Sequence, residues 1–173
     1  MIRSVDEPLF EDRKSDRDKA EPAQPEVRER IRDLVDGQPY AVLCVQGEGQ
    51  PYGALVAFAF TPDLRHAVFT TPTATRKYSM LSRNHRVALL VDNRPDRVGA
   101  FMDTEAVTVT GKAREVEDGD EFRRWAELLL ARHPYLNDFV HADSSALFRI
   151  DTARFLHVMR FQEVSQWVPD PGT

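Results

Sequence analysis

Residues 69–77 read Phe69-Thr70-Thr71-Pro72-Thr73-Ala74-Thr75-Arg76-Lys77, where an apolar strand ends and a helix is expected to begin. Hydroxyl and backbone N–H groups at a helix start converge on one place, where the helix dipole favours negative charge. Arg76 can add a bidentate guanidinium and Lys77 a point charge, which together suit a terminal phosphate better than a carboxylate. The alternative is that Thr75 only caps the helix and that the two cations form a solvated face.

The segments around this stretch predict a run of β-strands. Apolar or alternating segments bounded by turn residues place strands at 40–46, 51–60, 65–71, 86–91, 105–116, 146–150 and 155–160. The last two are predicted to form a hairpin around residues 151–153, and Gly111 is expected to bend or bulge the fifth strand. Most strands follow one another with turn-like spacing, so we predict a mainly β fold, a closed antiparallel barrel of six or seven strands with flanking helices.

Three segments predict helices outside this barrel. Pro25 opens a helix that ends at Gly37, with apolar residues spaced for one buried face, namely Val27, Ile31, Leu34 and Val35. A short helix is predicted from Lys77 to about Asn84. Asp118 and Glu121 form a capping-box pattern before a third helix, in which Trp125 is expected to be a core residue. Residues 134–140 are expected to add a short helical turn.

The length of 173 residues predicts one domain. Residues 1–24 carry many charges and few apolar side chains, so we expect a flexible N-terminal arm. The barrel domain is predicted to span residues 25–160, followed by a C-terminal tail over 161–173 that contains Gln166 and Trp167.

Composition narrows the classes of partner. The net charge of −5 argues against nucleic acid, whose phosphate backbone selects a basic surface. No apolar run is long enough to span a membrane, and the N-terminus lacks a signal-peptide core, so we expect a cytoplasmic protein without a membrane partner. A local basic spot in an acidic chain fits a small anionic ligand. Cys44 lies within an apolar run and is expected to be a small buried hydrophobic residue.

The ordered segment from Phe69 through Thr75-Arg76-Lys77, Leu81, Asn84 and Val87-Ala88-Leu89 resembles the phosphate-binding segment of the pyridoxamine 5′-phosphate oxidase-like FMN-binding split barrels. That family follows a hydroxyl-rich strand end with an Arg-Lys or Ser-Lys pair, a short helix, Asn-Pro-Arg-Val and a strand. Residues 107–113, Val-Thr-Val-Thr-Gly-Lys-Ala, resemble the family's strand that ends in Gly-x-Ala. The resemblance covers roughly residues 25–160.

The resemblance implies a split barrel that binds FMN at the interface of a homodimer. Arg76 and Lys77 would bind the flavin phosphate, assisted by the hydroxyls of Thr70, Thr71 and Thr75. The second strand, over residues 53–58, would run along the isoalloxazine ring and contact its polar edge through the backbone of Ala54, Leu55 and Val56. Gln166 and Trp167 would close over the flavin from the neighbouring chain; the alternative is that Trp167 anchors the tail to its own barrel.

Several positions depart from pyridoxamine phosphate oxidases proper. Those enzymes carry an arginine and a lysine at the ends of the second-strand motif, where this chain has Gly53 and Phe58. Ala106 stands where they have glutamine, and His85 replaces the proline after Asn84. The tail after Gln166-Trp167 also lacks their arginine block. We therefore expect a flavin-binding relative that does not oxidise vitamin B6.

The expected function is an FMN-dependent oxidoreductase that passes hydride or electrons from a reduced nicotinamide or similar donor to a small substrate. No catalytic acid or base is predicted: His157 and Tyr52 are candidates only if they face the cavity. The five histidines lack metal-ligand spacing. Three alternatives stay open: a haem-binding or haem-degrading split barrel, a flavin-binding dimer without turnover, and a larger deazaflavin cofactor in place of FMN.

Overall fold

The structure, a computed structural model, describes residues 24–94, 103–117, 119–160 and 163–169. The predicted N-terminal arm lies outside the described residues except for Gln24, and so does the predicted helix cap Asp118. The helices are α1 (Gln24–Gly37), α2 (Arg76–Leu81), α3 (Asp120–Arg132) and α4 (Asn137–Val140), with a 3₁₀ turn at Pro134–Leu136. The strands are β1 (Tyr40–Gly47), β2 (Gln50–Phe60), β3 (His66–Pro72), β4 (Arg86–Asp92), β5 (Glu105–Glu115), β6 (Ser145–Met159) and β7 (Glu163–Trp167).

The strands form a closed barrel, as the sequence predicts. Their order is β3-β2-β1-β4-β5-β6, and antiparallel pairing of β3 with β6 closes the ring, while β7 adds to the free side of β6. All pairings are antiparallel. Pairing of β3 with β6 covers the edges of these two strands, which an open sheet would leave exposed.

The prediction of a hairpin at residues 151–153 is wrong. β6 is one strand of 15 residues, which pairs with β5 along most of its length, with β3 through its first half and with β7 through its second half. The register between β5 and β6 shifts between Thr110 and Gly111, where Ala153 is the extra residue on β6. The turn-like residues therefore form a bulge within β6. The irregularity predicted at Gly111 lies at this position, but the extra residue is on β6 and not on the fifth strand.

Two apolar clusters fill the inside and cover part of the outside of the barrel. The larger cluster occupies the interior and includes the aromatic rings of Phe58, Phe69 and Phe155. The four apolar residues predicted for the buried face of α1 belong to it, which confirms that helix. The smaller cluster joins α3 to β2, β3 and β6 around Trp125, which is buried as predicted. Among the described residues, every helix is too short or too polar to cross a membrane.

The prediction that Cys44 is buried is also wrong. Along β1, Ala41, Leu43 and Val45 point into the barrel, whereas Tyr40 and Cys44 are exposed on its outer face. Successive side chains of a strand alternate between its two faces, and a continuous apolar run hides that alternation in the sequence.

Gly111→Ala is expected to lower the free energy of unfolding by roughly 1–3 kcal/mol, since the added carbon overpacks the bulge. A Cβ at this position would lie 2.5 Å from the carbonyl oxygen of Asp151. The matched control is Gly37→Ala, where a Cβ meets nothing within 4 Å. Urea denaturation measures both changes, and equal stability of the two variants would contradict the steric account.

Candidate functional site

The loop between β3 and α2 is tied to the start of β6. The backbone N–H of Thr73 donates to the carbonyl of Ser144 at 2.8 Å, and its hydroxyl donates to the same oxygen at 3.1 Å. Thr75 caps α2, the role given above as the alternative to phosphate binding: its oxygen accepts from the backbone N–H of Tyr78 at 3.3 Å. These bonds fix the direction in which α2 leaves the barrel.

The hydroxyls of the predicted threonines hold the loop together. Thr70 is buried and donates to the carbonyl of Ala146 at 3.1 Å. Thr75 donates to the carbonyl of Pro72 at 2.8 Å, so Thr71, whose hydroxyl lies 3.2 Å away, is the donor to Thr75. Thr71 has no exposed surface. The structure thus places Thr70 and Thr71 beneath the loop, with Thr75 partly exposed above them.

The two predicted cations begin α2. The guanidinium of Arg76 is exposed and lies 5.6 Å from the ring centre of Tyr52. Lys77 is half-buried, and removal from water lowers the pKa of its amine below the ordinary lysine value. Within the described part of the chain, neither side chain has an ion pair or a hydrogen bond. Two adjacent cations at a helix start, one of them partly desolvated, therefore stand without a protein anion.

A cavity of about 310 Å³ adjoins Arg76 on the side of the β1–β2 turn. Its walls come from that turn and from α2 with the turn that follows it; the lining residues are Gly47, Glu48, Gln50, Arg76, Ser79, Met80 and Arg83. Ser79 and Arg83 line this cavity but were not predicted from the sequence. The signal was present, because positions three and seven after Arg76 share its side of a helical segment.

The first part of β2 has an open edge beside the β3–α2 loop. β2 pairs with β1 along residues 50–57, but its pairing with β3 covers only Phe58, Ala59 and Phe60. The other edge of β3 pairs with β6 along the whole strand, from His66 to Pro72. No strand of the described chain therefore covers the second edge of residues 50–57, where Ala54, Leu55 and Val56 lie. Leu55 is 67% exposed, Ala54 half-buried and Val56 buried.

Gln166 and Trp167 lie on β7, away from the cavity at Arg76. Trp167 is buried in its own chain, with its ring centre 5.1 Å from that of Phe155. Gln166 is exposed, and its backbone carbonyl accepts from the side-chain amide of Gln24 at 3.4 Å. In the single chain, Trp167 therefore anchors the tail to its own barrel, which is the alternative given above for this residue.

The two candidate acid–base residues differ in access. His157 is buried, with Nε2 2.9 Å from a carboxylate oxygen of Glu105. Tyr52 is partly buried and lies beside Arg76. His157 thus occupies a closed polar pair, whereas Tyr52 borders the cation site.

The architecture of this chain is also found in proteins of known structure. A comparison with curated protein sequences finds no match. Among solved structures, a haem-binding protein from Mycobacterium smegmatis is similar with a TM-score of 0.75 at 15% identity, covering 86% of this chain and 60% of that one. An FAD-binding protein from Mesorhizobium loti gives 0.62 at 18% identity, covering 75% of this chain and 90% of that one.

General Stress Protein 26 from Bacillus anthracis is similar at a TM-score of 0.55 and 19% identity, covering 80% of this chain and 97% of that one. At these identities the likeness is one of fold, the split barrel. This chain spans 60% of the length of the Mycobacterium smegmatis protein. The family described as pyridoxamine 5′-phosphate oxidase matches residues 27–167, and the chain therefore belongs to that family.

Proposed function

We propose that this chain binds FMN through Arg76 and Lys77 and works as an FMN-dependent oxidoreductase. The observation that carries the proposal is the unpaired state of these two cations among the described residues, at a capped helix start. A phosphate supplies the missing anion and accepts the bidentate guanidinium of Arg76. Because Lys77 is already partly desolvated, it loses less hydration on binding than an exposed lysine would.

The open edge of β2 supports the placement of the ring. Residues 50–57 have backbone N–H and C=O groups that no described strand uses, and such groups require partners. The isoalloxazine carries carbonyl and N–H groups along one edge, which fit this backbone. Gly53 adds no side chain there, so the ring can approach closely, with its phosphate toward Arg76.

FMN, when bound, supplies the hydride and electron chemistry between a reduced nicotinamide or similar donor and a small substrate. The residues of this chain bind and orient the cofactor. Arg76 and Lys77 hold its charged end, Thr75 keeps α2 in place, and the backbone of Ala54, Leu55 and Val56 contacts the ring. Gly53 and Phe58, in place of the arginine and lysine of pyridoxamine phosphate oxidases proper, favour a substrate other than vitamin B6 phosphate.

We also propose a homodimer in which each subunit completes the other's flavin site. Tyr40, Cys44 and Leu55 are exposed together on the outer face of β1 and β2, where Val42 pairs with Leu55. A second subunit on this face covers the apolar surface and encloses the ring that lies along β2. Gln166 of one subunit is exposed and available to contact the ring bound by the other.

The absorption spectrum of the purified protein tests these assignments. A flavin spectrum supports FMN binding, and bleaching by NADH or NADPH under anaerobic conditions supports turnover. A Soret band indicates the haem alternative instead, and a flavin that no donor reduces indicates a dimer without turnover. Four of the five histidines are already engaged: His66 with Asp151, His133 with the carbonyl of Phe58, His141 with the carbonyl of Asn137, and His157 with Glu105.

Changing Arg76 and Lys77 together to alanine is expected to weaken FMN binding by about 3 kcal/mol or more, because charge-assisted contacts to the phosphate disappear. Flavin fluorescence titration measures the loss. The matched control changes Arg123 and Arg124, another adjacent cationic pair on α3, to alanine, which alters net charge equally. Equal affinities of the two double variants would contradict the site.

The pH dependence of binding follows from the lowered pKa of Lys77. A bound phosphate favours the protonated amine and raises its pKa in the complex. FMN affinity is therefore expected to be constant up to the pKa of Lys77 in the free protein and to fall as the pH rises toward its pKa in the complex.

The ratio of FMN to riboflavin affinity, measured above about pH 7 where the phosphate is dianionic, isolates this effect from titration of the ring. Lys77→Arg keeps its charge over the whole range, so its ratio is expected to stay level. A parallel fall in wild type and Lys77→Arg would assign the pH dependence to another group.

A further inference from the structure

The guanidinium of Arg76 lies over the aromatic ring of Tyr52. Tyr52 is the third residue of β2 and Arg76 the first of α2, and the guanidinium carbon is 5.6 Å from the ring centre. A cation within about 6 Å of an aromatic ring centre is attracted by the negative face of the ring. This contact therefore joins the open part of β2 to the start of α2.

The barrel interior holds the Tyr52 ring in place. The ring is partly buried and packs against the interior apolar cluster. Tyr52 shares one side of β2 with Val56 and Phe58, which are buried in that cluster, because alternate residues of a strand point to the same face. Its register partner on β1 is Val45, which is also buried. The ring is therefore a fixed surface on which a long side chain can rest.

An aromatic ring holds a cation without neutralising it. The ring attracts the flat face of the guanidinium, whereas the N–H groups point outward in the guanidinium plane. Within the described residues, the N–H groups of Arg76 have neither a hydrogen bond nor an ion pair. Arg83 shows the contrast, because its guanidinium donates to the carboxylate of Glu48 at 2.7 Å. A carboxylate beside Arg76 would compete with a bound phosphate, and the Tyr52 ring does not.

We propose that Tyr52 is a positioning residue, whose ring holds the guanidinium of Arg76 in place for the phosphate of the cofactor. This inference rests on the proposed function, in which Arg76 binds that phosphate. Because the ring already holds Arg76, its side chain has fewer conformations to lose on binding, and the phosphate is bound more tightly. The contact also accounts for an arginine at this position. A planar guanidinium can lie on a ring and bind two phosphate oxygens at its edge, which the ammonium of a lysine cannot do.

Flavin fluorescence titration of Tyr52→Leu and Tyr52→Phe tests the proposal. Leucine keeps an apolar side chain against the interior but has no aromatic face, so FMN affinity is expected to fall about fivefold, the size of an exposed cation–π contact. Phenylalanine keeps the ring, and the Tyr52 hydroxyl has no hydrogen bond within the described chain, so Tyr52→Phe is expected to match wild type. Wild-type affinity in Tyr52→Leu, or an equal loss in both variants, overturns the proposal.

The Arg76→Ala background separates positioning from a general effect on the fold. Without the guanidinium the ring has nothing to hold, so adding Tyr52→Leu to Arg76→Ala is expected to leave the remaining FMN affinity unchanged. A further loss of about fivefold in this background would mean that Tyr52 acts directly on the ligand or on the fold, and it would overturn the proposal.

Nuclear magnetic resonance of the ligand-free protein checks the contact itself. The ring current of Tyr52 is expected to shift the Cδ protons of Arg76 upfield in wild type and in Tyr52→Phe, but not in Tyr52→Leu. Unshifted Arg76 signals in wild type overturn the proposal.

Titration with inorganic phosphate, followed through the same Arg76 signals, separates this inference from the proposed function. If FMN does not bind but phosphate does, and Tyr52→Leu weakens phosphate binding, the FMN assignment fails and Tyr52 still positions Arg76 for an anion. If wild type and Tyr52→Leu bind FMN equally, the FMN assignment stands and the positioning role falls. If neither ligand binds to wild type, both fall.

Discussion

The early separation of β2 from β3 is the constraint on which the rest of the structure depends. β3 pairs with β2 through only three residues of β2, from Phe58 to Phe60, whereas its other edge pairs with β6 along the whole strand, which closes the barrel. Its departure leaves the edge of residues 50–57 open and brings the following loop to the start of β6. The open edge and the cationic helix start are therefore two consequences of one divergence between strands.

This divergence explains how a small barrel can combine a rigid frame with an accessible site. The hydroxyls of Thr70, Thr71 and Thr75 already donate to the backbone carbonyls of Ala146 and Pro72 or to one another. The two cations that follow are therefore the groups that can bind an anion. Because the loop is ordered before a ligand binds, the free energy of binding is not reduced by the cost of ordering it. The family match over residues 27–167 agrees with this frame, and the flavin assignment adds the anion that Arg76 and Lys77 lack.

Local patterns in the sequence predicted the parts of the fold that depend on local physics. The spacing of apolar residues in α1 and the cap at Thr75 each follow from a few neighbouring residues. The continuity of β6 could not be predicted in the same way, because Asp151-Thr152-Ala153 has the composition of a turn whether the chain turns or bulges. The exposure of Cys44 depends on the face of the strand on which its side chain lies, and a continuous apolar run does not show the alternation between the two faces.

For the candidate site, too, the sequence predicted the local features but not those that depend on distant parts of the chain. Arg76 and Lys77 stand out in the chain, and the structure places them together at a helix start. The open edge of β2 depends on which residues of β3 pair with it, which only the assembled barrel decides. The spacing of Arg83 from Arg76 was a local signal, but the opposite wall of the cavity comes from the distant β1–β2 turn, and long-range contacts of that kind leave no local pattern.

The position of β6 near the end of the chain also matters while the protein is being synthesised. β6 contacts β3, β5 and β7, and it closes the ring, yet it spans residues 145–159. A nascent chain that has emerged only as far as β5 has no partner for the outer edge of β3, so the barrel cannot close before β6 has left the ribosome. Until then that edge is open to other chains, and a ribosome that stalls before β6 releases a sheet instead of a barrel.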